Sequence, residues 1–227
     1  MKFRFIVEEI RSNEFFELNN RQKFKLLGDA FLFCLAAMFI SVIIWDIISW
    51  LSGSEFNQSN NSYNTAVKNW ILVVLLAPVV EEIGFRLFLK PNKLKVWVSI
   101  FVLCYFIFSI VTVSNFYSEL DTLTLYKLLA ALGVSSLITF LFSEKIVSNI
   151  KSSLFQYYIF SSFLFGLLHL LNFVPLDGIQ IILFPFLILP QILFGFAFGY
   201  LRLKNGLTWA IGLHALINSI SFIFKSL

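Results

Sequence analysis

Six side chains in this sequence have the types and spacing to do chemistry, and all six lie inside apolar runs: Glu81, Glu82, Arg86, His169, His214 and Asn218. His169 and His214 are the chain's only histidines. Ionisable groups in hydrocarbon are expensive, ~2.5–3.5 kcal/mol each on insertion scales, and commonly mark a working site. On a helix, residues four apart share a face and adjacent residues point ~100° apart. Glu82 and Arg86 are then facing neighbours that can neutralise each other, while Glu81 points elsewhere, toward a polar cavity. This assigns Glu82 and Arg86 to structural support and Glu81 to chemistry. His214 and Asn218 likewise share a face.

A carboxylate and two histidines in a wet intramembrane pocket are competent for hydrolysis. Burial and nearby cations tune such a carboxylate as general base for water. His169 can share that water or protonate a leaving amine. His214 and Asn218 can donate to the oxyanion that develops on the scissile carbonyl. The alternative is zinc held by Glu81, His169 and His214 with a bound water as nucleophile. HExxH is absent, so spacing alone does not favour the metal. Cys34 and Cys104 have no zinc-ligand spacing and read as small buried residues.

The elements that must position these groups are membrane spans. Of 227 residues, 59% are hydrophobic and 13% charged, with 29 Phe, against ~25% charged in an ordinary soluble domain. The pattern predicts an all-α polytopic bundle of about seven spans, eight if the sixth is split, with no room for a separate soluble domain. Residues 1–26 mix charge with Phe and read as an amphipathic juxtamembrane segment; residues 27–227 form the bundle. The spans are expected over about 27–51, 67–89, 96–116, 123–142, 154–173, 179–201 and 207–224, with Ser143–Lys151 a loop. Pro78 should kink or restart the second span, and Pro185 and Pro190 should interrupt the sixth. Most Lys and Arg fall on one side: six within residues 1–26, then Lys90, Lys93, Lys95, Lys145, Lys151, Arg202 and Lys204. That bias predicts a cytoplasmic N-terminus and takes the net charge of +4 as orientation, with no nucleic-acid partner.

Three motifs in order carry a resemblance. Glu81-Glu82-Ile-Gly-Phe-Arg86 matches EExxxR, Phe165-Gly-Leu-Leu-His169 matches FxxxH, and His214-Ala-Leu-Ile-Asn218 matches HxxxN. Together they resemble the CPBP family, the CAAX protease and bacteriocin-processing (Abi-type) intramembrane endopeptidases, over about Trp70 to Asn218. The resemblance implies a membrane peptidase acting on a peptide or lipidated protein beside membrane lipid. In it Glu81 and His169 activate water, His214 and Asn218 support the oxyanion, and Phe165 belongs to the structural set. The family is described both as glutamate-dependent and as metal-dependent; the metal-free reading, with no cofactor, is preferred and zinc is the alternative. The chain departs from the pattern with Leu87 where many members have Gly. It also departs in the 88 residues between Glu81 and His169, which imply an inserted helical hairpin over 95–142 within a core spanning 67–224. A silent immunity or scaffold protein that keeps the fold is the competing function.

Overall fold

The computed structural model describes residues 3–53, 70–112, 122–172 and 178–226, all of them in helices or the short turns between them. Residues 54–69, 113–121 and 173–177, around the ends of the expected spans, lie outside the described residues. Helix α1 (Phe3–Ser12) precedes α2 (Asn20–Ser52). A π-helical turn (Ile71–Leu76) leads into α3 (Ala77–Arg86), which tightens into a 3-10 turn (Leu87–Leu89). Then come α4 (Lys93–Val111), α5 (Thr122–Ser152), α6 (Leu154–His169) with a 3-10 turn (Leu170–Asn172), α7 (Ile179–Leu187), α8 (Leu189–Lys204) and α9 (Leu207–Ser226). Among the described residues five helices are long and apolar enough to cross a membrane, with α7 and α8 joined as one of them, and α6 is a shorter apolar helix. The fold is a helical membrane bundle.

Two boundaries differ from the sequence expectation, and one break agrees with it. The first span begins at Asn20, not Leu27, because Asn19 caps it: its side chain accepts from Gln22 N at 2.9 Å while Gln22 Oε1 accepts from Asn19 N at 3.0 Å. Residues 143–151 continue α5 instead of forming a loop. No Gly or Pro interrupts them, and Ile146, Val147 and Ile150 pack into the core beside α1. The sixth span is split at Ile188, as its prolines suggested, and Trp45 Nε1 of α2 donates to Leu187 O beside the break at 3.4 Å.

Helix α1 is also not a free surface segment. Ile6 and Ile10 are buried against Leu89, Val96, Leu154, Tyr158 and Leu203. Between them Glu9, 6% exposed, accepts from Tyr200 Oη at 2.8 Å and from Lys204 Nζ. Asn205 Nδ2 donates to Lys23 O at 3.0 Å, tying the start of α2 to the same end of the bundle.

Helices α6 and α8 approach each other closely at glycines. A Cβ added at Gly195 would lie 2.9 Å from Ser162 backbone, and one at Gly199 would lie 2.8 Å from the Tyr158 ring. Small residues four apart are what allow helix backbones to approach this closely in a membrane. The approach seats Phe165 of α6 and Phe198 of α8 in one core with Phe85, Phe106, Leu213 and Ile217, directly beneath the polar groups described next.

Candidate active site

Glu81 and Glu82 leave α3 in different directions, and each finds different partners. Glu82 is fully buried; its Oε1 lies 3.4 Å from Arg86 Nη1 and accepts from His214 Nδ1 at 3.0 Å. The Arg86 guanidinium, equally buried, lies over the Phe165 ring at 4.1 Å and near Phe85 and Phe198 at 5.4 and 5.8 Å. Aromatic faces thus share the compensation of a desolvated cation with Glu82. Glu81 Oε2 faces the histidines instead: His169 Nε2 is 3.9 Å away and His214 Nε2 is 3.8 Å away.

The far nitrogen of each ring fixes the chemistry of the near one. His169 Nδ1 is 2.8 Å from Phe165 O, which can only accept, so Nδ1 carries the proton. His214 Nδ1 faces the Glu82 carboxylate and carries its proton for the same reason. The neutral His169 ring then turns its Nε2 lone pair toward Glu81, whereas His214, set between the carboxylates of Glu82 and Glu81, can present an N–H from Nε2 as well. Two ring nitrogens and one carboxylate oxygen therefore converge on a common point. Their separations exceed a direct hydrogen bond, ~2.7–3.2 Å, but suit a water bonded to more than one of them. Access is one-sided: the Glu81 and His169 side chains are 18% and 23% exposed, whereas that of His214 is 4% exposed. Aromatic rings hold both imidazoles. Phe198 stacks on His214 with centroids 4.6 Å apart, and Phe165 lies 4.4 Å from His169 and 5.6 Å from His214.

A model of the family described as type II CAAX prenyl endopeptidase, Rce1-like, matches residues 63–150 and 138–220. The chain belongs to the Rce1-like family. Comparison with curated proteins and with solved structures gives no match. The matched stretches contain Glu81, His169, His214 and Asn218.

The fourth motif residue is engaged differently. Asn218 Nδ2 donates to Val73 O at 2.9 Å, two turns upstream of Glu81. Three further side chains hold the same segment from three other helices. Ser99 Oγ donates to Ile83 O at 2.9 Å, Ser161 Oγ to Phe85 O at 2.5 Å, and Arg202 to Arg86 O and Leu87 O at 3.2 Å each. α3 and the turns that flank it are thus gripped through their carbonyls by α4, α6, α8 and α9. Such bonds in an apolar setting fix a helix's rotation as well as its position. Sequence reasoning passed over Ser99, Ser161, Phe198 and Arg202. The serines had a weak signal, being polar in apolar helices. Arg202 had a misleading one, since it reads as one more charge at a basic turn.

The zinc alternative meets a geometric test. Among the described residues no group of three His, Cys, Asp or Glu is spaced to hold a metal ion. Ligands of a tetrahedral zinc lie ~3.3 Å apart, closer than the 3.8 and 3.9 Å here. As placed, Glu81, His169 and His214 do not form that set, and no step below passes through a metal.

Proposed function

We propose that this chain, a CAAX-type membrane peptidase by family, hydrolyses a peptide bond of a membrane-associated, lipidated peptide or protein with water activated by Glu81. The observation that carries the reading is the approach of both Nε2 atoms to within 4 Å of Glu81 Oε2. His169 accepts one hydrogen of the water and orients it. Glu81 takes the other proton as the water oxygen attacks the carbonyl carbon. His214, protonated on both nitrogens, has its charge balanced by Glu82 and gives Nε2–H to the oxyanion. When the C–N bond breaks, the proton held by Glu81 passes to the leaving amine. Arg86 pairs with Glu82 and so supports His214 at one remove. The basic end of the bundle, with α1 and the Lys90, Lys151 and Lys204 turns, is proposed to face the cytoplasm.

The test is hydrolysis of quenched peptides, prenylated and not, by protein in liposomes, with Glu81→Gln and His169→Ala beside wild type and each with and without chelator. Cleavage lost in both variants and indifferent to chelator supports the mechanism. Cleavage lost with chelator and restored by zinc replaces it with the metal one. If no peptide is cleaved and both variants keep the wild-type phenotype in cells, the silent immunity or scaffold reading takes its place.

A further inference from the structure

Pro78 leaves a carbonyl without a donor, and Asn218 fills the vacancy. In the π-turn the Ala77 N–H donates to Leu72 O, five residues back. Val73 O therefore loses the Ala77 N–H it would accept in an α-helix. In the π register its donor would be residue 78, but Pro78 has no N–H. Both backbone routes to Val73 O are closed by sequence and register together. The amide of Asn218, arriving from α9, is the hydrogen bond this carbonyl has. An unbonded carbonyl among apolar helices is strongly disfavoured, so the π-turn is stable where it is only while Asn218 serves it.

We propose that Asn218 is a positioning residue: by capping Val73 O it holds the π-turn, and the π-turn sets the direction in which Glu81 leaves the helix. The stake is rotational. A π-turn accommodates one extra residue, and one residue is ~100° of helix rotation, the angle that separates Glu81 from Glu82. If the turn annealed, Val73–Leu76 and α3 could no longer both keep their present faces, and Glu81 would be drawn from the two histidines. Asn218 reaches the reaction through backbone, by a route distinct from donation to an oxyanion. The inference rests on the peptidase reading only for its catalytic consequence.

A double-variant cycle separates the two roles. Pro78→Ala restores an N–H where Val73 O lacks one. Asn218→Ala is made in the natural background and in Pro78→Ala, and each is compared with its own parent for Tm in detergent and for kcat and KM. If the proposal holds, Asn218→Ala lowers Tm by several degrees and kcat at least 10-fold with KM little changed in the natural background. Both losses shrink by more than half in Pro78→Ala. Asn218→Asp, the same shape without the donor, should behave as Asn218→Ala does. Equal losses in both backgrounds overturn the proposal and place Asn218 at the substrate. Should no variant or wild type cleave any peptide, the peptidase reading falls, and the Tm cycle alone still decides whether Asn218 serves Val73.

Discussion

Removing the Arg86 charge should be among the most damaging single changes in the molecule, and its size follows from the burial. Arg86 and Glu82 are both 0% exposed, with 3.4 Å between Nη1 and Oε1. At an effective dielectric near 20 that distance gives about 5 kcal/mol of attraction. The Phe165 face at 4.1 Å adds ~2 kcal/mol for a desolvated cation. Most of this only offsets the cost of taking two charges out of water, so the pair as a whole is close to neutral for stability. Arg86→Met breaks that balance and strands Glu82 ionised. Deleting one partner of such a pair costs ~3–5 kcal/mol. At ~2–4 °C per kcal/mol for a chain of this size, Tm should fall on the order of 10 °C. Glu82→Gln combined with Arg86→Met removes both charges and should recover more than half of that fall. It should not recover turnover, because His214 loses the carboxylate that balances its second proton. The assay is thermal unfolding in a fixed detergent beside peptide hydrolysis in liposomes. A single variant within about 2 °C of wild type would refute the reasoning, and so would a double variant as unstable as the single one.

The remaining expectations concern the site and its supports. Glu81→Gln keeps shape and should leave Tm within ~2 °C while lowering kcat ~10²–10⁴-fold, the usual worth of a positioned general base. His214→Asn should lower kcat ~10²–10³-fold through the lost oxyanion donor, measured at saturating peptide. Gly195→Val drives side-chain atoms into Ser162 and should cost ~1–3 kcal/mol in Tm-derived stability. The same substitution should reduce turnover by parting α6 from α8. Glu9→Ala leaves Lys204, whose side chain is 5% exposed, without its carboxylate. It should free α1, read as faster proteolysis between residues 3 and 19.

What the sequence revealed and what it hid divide along a physical line. Glu82 and Arg86 were legible as a pair because i, i+4 spacing is intrinsic to one helix. The neighbourhood of Glu81, His169 and His214 was legible as an expectation because polar groups in apolar helices need partners. Pro78 announced a break but not its form. Whether the chain answers a missing N–H by a kink or by a π-turn depends on a donor from α9, 140 residues further on. The grip of Ser99, Ser161 and Arg202 on α3 was hidden for the same reason, since each is a contact between side chain and distant backbone. The close approach of α6 and α8 was written in Gly195 and Gly199, four apart, and was overlooked among 29 Phe. The docking of α1 was hidden because an amphipathic helix presents the same pattern to lipid and to protein. Only Glu9, on the buried side, distinguishes them.

That docking sets a clock on maturation. Glu9 and Lys204 are 195 residues apart, and at ~5–20 residues per second the carboxylate precedes its partner by about 10–40 s during synthesis. Until then Glu9 has neither Tyr200 nor Lys204, and α1 can rest on Leu89, Val96, Leu154 and Tyr158 only without its polar anchor. The last helices therefore complete the polar site and close the bundle's basic end in a single late event. Chains arrested before Tyr200 should expose α1 to added protease, and chains extended past Lys204 should hide it.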